Sequence, residues 1–401
     1  MDMKNFIFWT LALLSCTTVF SQEITVGRQA GISPEIHDDH TVTFCLKAPK
    51  ATEVQITGDF LPVTQTDTPY GKMDVPGYAD MTKKEGGYWV FTTPVPLESE
   101  LYNYTFVVDS VPVVDPQNVY APRNVDALGN LFLIGGGQAD LYKVNEVPHG
   151  TVAYRWYDSP TLNMERRITV YTPAGYENSD KSYPVLYLLH GMGGDEEAWI
   201  TIGRAAQVLD NLIACGKAVP MIVVMPNGNV SRAAAPGESS DGFVKPVMDL
   251  PKTMEGSMEE SFPDIMKFVE SNYRTVTDKA QRAIAGLSMG GFHALYISRE
   301  YPELFDYVGL FSAVTRPIRK VESPIYENGD WKLETQFSTG PALYWIGIGR
   351  TDFLYKLNAG YRQQLDARGY PYTYYETDGG HTWRNWRTYL SEFVPLLFKK
   401  R

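Results

Sequence analysis

The 401-residue sequence predicts an all-β module over residues 22–137, a linker at 138–150 and an α/β region over 151–401. Three observations predict this. After residue 150 the short apolar runs are continuous rather than alternating, as strands buried on both faces require. Helix-length stretches lie between those runs, the alternation that produces a mostly parallel sheet with helices on both faces. Before residue 137 the runs alternate polar and apolar and are cut by Gly, Pro and Asp, which is the pattern of a β-sandwich.

In the first part, Thr41-Val42-Thr43-Phe44-Cys45-Leu46 alternates, and Glu53-Val54-Gln55-Ile56-Thr57 does so until Gly58-Asp59 stops it. Two more strands are expected at 88–93 and 102–108. About 100 residues suits one immunoglobulin-like module. Gly135-Gly136-Gly137 breaks the pattern. Beyond it, strands are expected at 168–171, 185–189, 221–225, 283–285, 307–311, 342–348 and 372–376. Helices are expected near 196–215, 258–273, 291–300, 355–368 and 384–398.

Composition narrows the function. With 44% hydrophobic and 21% charged residues, the chain has enough apolar material for a core and a second module. A net charge of -11 repels a phosphate backbone, so nucleic acid is not an expected partner. The N-terminus has Lys4, an apolar run from Phe6 to Leu14 and then small and polar residues to Ser21. This is the layout of a secretory signal peptide, residues 1–21, and implies a secreted or periplasmic protein. Leu13-Leu14-Ser15-Cys16 also fits a lipoprotein cleavage box that would anchor the chain through Cys16. No later segment reads as a membrane span. Cys45 and Cys215 fall in different modules and are expected to be buried thiols, without a disulfide or a metal role. Oligomeric state is not readable.

The chemistry begins at Gly286-Leu287-Ser288-Met289-Gly290, a G-x-S-x-G sequence placed between an apolar strand and a helix. In that setting the serine sits on a sharp, strained turn with its hydroxyl exposed above the sheet. The start of the following helix then favours developing negative charge. This is the nucleophile elbow of α/β-hydrolases. A serine needs a base, and His381 in Asp378-Gly379-Gly380-His381-Thr382-Trp383 lies after the last strand and before the last helix. His293, on the helix after the elbow, is expected to pack or line substrate, and His190 falls in a strand-end loop. A carboxylate should orient the imidazole. Asp352, just past the 342–348 strand, is the choice, with Asp330 in reserve. Asp378 is too near His381 in the same turn, and Asp366 falls on a helix. The backbone N–H of Met289 and that of Met192 (or its neighbour Gly191) in His190-Gly191-Met192-Gly193-Gly194 are the expected oxyanion donors. There is no HExxH, P-loop or dinucleotide fingerprint, so neither a cofactor nor a metal is expected.

The region from about Gly150 onward resembles the carbohydrate esterases that include feruloyl and acetylxylan esterases, within the esterase-D-like group. The matching residues are Arg167-Ile168-Thr169-Val170-Tyr171-Thr172-Pro173, His190-Gly191-Met192-Gly193-Gly194, Pro220-Met221-Ile222-Val223-Val224-Met225-Pro226, Gly286-Leu287-Ser288-Met289-Gly290-Gly291 and Gly379-Gly380-His381-Thr382-Trp383. The N-terminal module resembles early-set sandwiches related to glycogen-binding modules, through Ala48-Pro49, Gly58-Asp59, Gly87-Tyr88-Trp89 and Asp115-Pro116. The resemblance implies plant cell-wall polysaccharide as partner: feruloylated arabinoxylan or acetylated xylan. An aromatic content of 13% leans towards ferulate, with Trp199, Phe292 and Trp383 as lining residues. Three rivals share the architecture or its parts. They are a siderophore esterase of the enterochelin type, a mycolyl-type acyltransferase, and a carbohydrate-binding protein with an inactive esterase domain. The loop at 229–252 opposes Arg232, Lys245 and Lys252 with Glu238, Asp241 and Asp249, a balance that does not favour a catecholate–iron ligand.

Overall fold

The computed structural model describes residues 32–68 and 71–399. The signal peptide and Cys16 lie outside the described residues.

The N-terminal region is two antiparallel sheets around one core. Strands Val42–Lys47 and Tyr88–Thr92 dominate one sheet, and Val54–Gly58 and Leu101–Val108 the other. The expected alternation is real: Val42, Phe44 and Leu46 point inward and meet Val54, Ile56, Tyr104 and Phe106. Cys45, on the opposite face, is half-buried, and Cys215 is exposed at the end of a helix; both are free. Their expected burial is therefore corrected. Two further hairpins project from this region. They are Val63–Thr68 with Gly71–Pro76, and Arg123–Asn124 with Ala127–Leu128.

The second part is an eight-stranded sheet: β1 (Thr151–Ser159), β2 (Met164–Thr172), β3 (Val185–Leu189), β4 (Ile222–Pro226), β5 (Arg282–Leu287), β6 (Tyr307–Phe311), β7 (Leu343–Gly349) and β8 (Thr373–Thr377). Its spatial order is β1-β2-β4-β3-β5-β6-β7-β8. β1 and β2 join antiparallel, and every later pairing is parallel. The apolar runs explain this. In β3, Val185, Tyr187 and Leu189 enter one core and Leu186 and Leu188 the other, so both faces are covered.

The helices are α1 (Ala198–Thr201), α2 (Ala205–Ala214), α3 (Ser257–Asn272), α4 (Met289–Glu300), α5 (Gly329–Ser338), α6 (Tyr355–Ala367) and α7 (Trp383–Phe393). α3 to α6 cover one face, while α2 and α7 cover the other. The expected helix at 196–215 is two helices. A Cβ at Gly203 would stand 2.7 Å from the Trp199 carbonyl, and Arg204 turns left-handed beside it. β1 and α5 carry no periodic signal strong enough to have been expected.

Residues 138–150, expected as a linker, are built into the fold. Ala139 and Tyr142 are fully buried against the α2 and α7 face, together with Leu101 and Leu131 of the N-terminal region. Arg387 of α7 donates to Glu100 Oε1 at 3.0 Å and to the Leu101 carbonyl at 2.7 Å. Among the described residues, no helix is long and apolar enough to cross a membrane.

Candidate active site

Ser288 stands between β5 and α4 with φ 53° and ψ −114°, a conformation that L-residues adopt only under constraint. Neighbouring backbone supplies the constraint. The Ser288 N–H donates to the Phe311 carbonyl at 2.8 Å, and its own carbonyl accepts from Val314 at 3.2 Å. The flanking glycines are sterically required. A Cβ on Gly286 would lie 2.4 Å from the Gly290 carbonyl carbon. One on Gly290 would lie 2.4 Å from the Leu189 carbonyl oxygen. The G-x-S-x-G pattern is thus the only spacing that lets β5, α4 and the end of β3 meet.

Asp352 follows β7 and His381 follows β8, so both reach the C-terminal sheet edge that carries Ser288. His381 Nδ1 lies 3.0 and 3.1 Å from the two Asp352 oxygens. The Asp352 side chain is fully buried, and its Oδ1 also accepts the Leu354 N–H at 2.8 Å. A carboxylate only accepts, so Nδ1 carries the proton and Nε2 is left with its lone pair. The two loops are backbone-locked. Thr351 N–H donates to the Gly379 carbonyl at 3.0 Å, and a Cβ on Gly349 would come within 2.3 Å of that same oxygen. Phe353 and Trp386 pack on the imidazole at 4.5 and 4.9 Å between centroids. The competing carboxylates face elsewhere. Asp330 pairs with Arg368, Asp378 with Arg350, and Asp366 accepts from Tyr372.

The loop after β3 lies against the elbow: a Cβ on Gly191 would stand 3.4 Å from Ser288 Cβ. Among the described residues, neither Gly191 nor Met192 donates its backbone N–H to another group of the chain. Met289 opens α4, where the first N–H groups have no intrahelical partner. His190 buckles this loop to the next one. Its Nδ1 donates to the Gly191 carbonyl and its Nε2 accepts from Gly228 N–H, both at 2.7 Å. Burial pushes His190 down to about 4, so it is a neutral spacer at ordinary pH. Nothing in the sequence marked this role.

The lining residues need correction. Trp199 is 1% exposed and gives its indole N–H to the Leu189 carbonyl at 3.0 Å, pinning the end of β3 from within the core. Phe292 is fully buried against Tyr296 and Tyr326. Neither has surface to offer a ligand. Trp383 remains half-exposed, stacked edge-on against Trp199 at 5.3 Å. His293 is also core, with Nδ1 2.8 Å from a buried Glu259 oxygen.

Known proteins match this arrangement. The Esterase family model covers residues 159–397. An endo-1,4-beta-xylanase/feruloyl esterase of Xylanibacter ruminicola is 27% identical over 330 residues, covering 80% of this chain and 41% of the relative. An esterase of Mycobacterium tuberculosis is 25% identical over 324 residues, covering 68% and 66%. The chain therefore spans about two fifths and just under two thirds of the lengths of these relatives. A ferulic acid esterase structure from Anaeromyces mucronatus is 26% identical, with a TM-score of 0.53 over 70% of this chain and 98% of that one. The enterobactin esterase of Shigella flexneri, 17% identical with a TM-score of 0.59, covers 88% of this chain and 92% of its own, and shares the fold. The chain belongs to the Esterase family: it is a serine esterase with an α/β-hydrolase fold behind an N-terminal β region, and it resembles the carbohydrate esterases.

Proposed function

We propose that the chain hydrolyses esters on plant cell-wall polysaccharide, releasing ferulate from arabinoxylan through Ser288, His381 and Asp352. The observation that carries the reading is the paired contact of a buried Asp352 with His381 Nδ1, at the sheet edge that holds a strained Ser288. His381 Nε2 takes the Ser288 proton as the serine oxygen attacks the ester carbonyl. The Met289 and Met192 N–H groups, with Gly191 beside them, receive the oxyanion. The protonated imidazole then gives its proton to the departing alcohol, Asp352 balancing its charge, and water releases the acyl group from Ser288 by the reverse steps. The relatives named for feruloyl ester hydrolysis support the acyl choice. The N-terminal region is read as an immunoglobulin-like, early-set sandwich, and the leader at 1–21 as a secretion signal.

The test is acid release from feruloylated arabinoxylan and acetylated xylan side by side, with Ser288→Ala as control. Ferulate release that vanishes in the variant is expected. Acetate release alone would move the substrate to acetylxylan. Hydrolysis of neither, with small aryl esters still cleaved, would overturn the polysaccharide reading in favour of a siderophore ester.

A further inference from the structure

Both projecting hairpins of the N-terminal region reach the catalytic edge of the sheet. Gly71, at one hairpin turn, lies so that a Cβ on it would meet Phe353 Cβ at 3.8 Å, and Phe353 packs on His381. The Asp74 carboxylate of that hairpin approaches within 3.7 Å of where a Cβ on Gly380 would stand. The hairpin at 123–128 touches the other side. Arg123 is ion-paired with the buried Asp195 beyond the oxyanion loop. Asn124 Oδ1 accepts from the Trp383 indole at 3.5 Å. Val125, held at φ 57°, packs so tightly over Gly193 that a Cβ there would lie 2.6 Å from a valine methyl.

Between this second hairpin and the 229–250 loop opens a cleft of about 460 Å³. Gly193 and Gly194 line it, a short step along the loop from Gly191 and Ser288. Arg232, Ser239 and Lys245 give it polar walls and Val247 an apolar one. Arg232 is held only loosely, 3.7 Å from Asp241. A pyranose or furanose ring presents hydroxyl edges and C–H faces, and a mixed wall of this kind matches both. A bare aromatic acyl group would use the apolar part alone.

We propose that this cleft receives the sugar side of the ester, so that the N-terminal region is a wall of the substrate site and selects carbohydrate-linked esters over esters of small alcohols. The proposal rests on the reading of the chain as a polysaccharide-ester hydrolase. It assigns the 123–128 hairpin a specificity role that its packing on Gly193 and Trp383 makes geometrically direct.

The test uses the full chain and two acyl-matched substrate pairs. One is methyl ferulate with a feruloylated arabinoxylo-oligosaccharide, the other methyl acetate with an acetylated xylo-oligosaccharide. The variants are Arg232→Ala/Lys245→Ala, which strips the polar wall, and Ser239→Trp, which fills the cleft. For whichever acyl group the wild type releases, the ratio of kcat/KM on the glycan ester to that on the methyl ester should fall about tenfold in both variants. An unaltered ratio overturns the proposal, whether both rates stay the same or fall together. So does a wild-type enzyme that cleaves only the methyl esters. Acetate release without ferulate release would remove the feruloyl reading, while the acetyl pair would still decide the role of the cleft.

Discussion

At the scale of single residues, Asp352 and His190 make opposite uses of burial. Asp352 is held as an acceptor for the His381 Nδ1 proton, which fixes the tautomer. Asp352→Asn keeps the shape and can offer an N–H instead, turning the imidazole the wrong way. Its kcat should fall by about 10³–10⁴ with the melting temperature little altered, as steady-state kinetics and calorimetry would check. His190 is buried neutral, near 4, against an unfolded value of about 6.5. The unfolded chain binds the extra proton first as pH drops, so this contribution to stability is complete above about pH 6.5 and is lost on the way down to 4. Urea unfolding at pH 7, 6 and 5 should show the wild type weakening, with a slope shallower in His190→Asn by up to about 1.4 kcal/mol per pH unit. Parallel curves would contradict this role. Ser288, His381 and Asp352 were legible in the sequence because each sits within a few residues of a strand end. His190 was not, because its partners Gly191 and Gly228 are brought together only by the sheet.

At the scale of elements, the strand-to-helix turns carry the site, and their glycines are set by backbone rather than by side-chain packing. The Leu189 and His190 carbonyls stand 2.4 and 2.5 Å from where a Gly290 Cβ would be, and neither can withdraw without parting β3 from α4. Gly290→Ala should therefore cost about 1–3 kcal/mol of stability and lower kcat as the elbow shifts. A variant with wild-type urea midpoint and activity would contradict the steric reading. The central parallel strands were legible, since β3 to β6 are apolar on both faces. The two projecting hairpins were not, because strands as short as Arg123–Asn124 and Ala127–Leu128 contain no period to detect. Trp199 and Phe292 show the same limit for side chains. An aromatic residue beside a catalytic motif reads alike whether it faces a ligand or the core, and here helix and sheet packing put both inside.

At the scale of the whole molecule, the β region and the catalytic region share one core rather than a tether. Arg387 is 2% exposed where it meets Glu100 and Leu101. Arg387→Leu would leave Glu100 buried with only the half-exposed Arg384 at 3.6 Å. The loss should be about 3 kcal/mol or more, read as an earlier or split thermal transition, whereas an unchanged single transition would mean that the regions are not coupled through this contact. A sequence break at three glycines correctly marked where the texture changes. It could not reveal that the next residues, Ala139 and Tyr142, are buried against α2 and α7.

The most direct test of the central claim is peptide mass spectrometry of the enzyme quenched in acid during turnover of a feruloyl ester. A feruloyl adduct on the peptide carrying Ser288, lost in Ser288→Ala and accumulating when His381 is replaced by a residue too weak to activate the second water, is the predicted result. An adduct on any other residue, or steady turnover by Ser288→Ala, would contradict it.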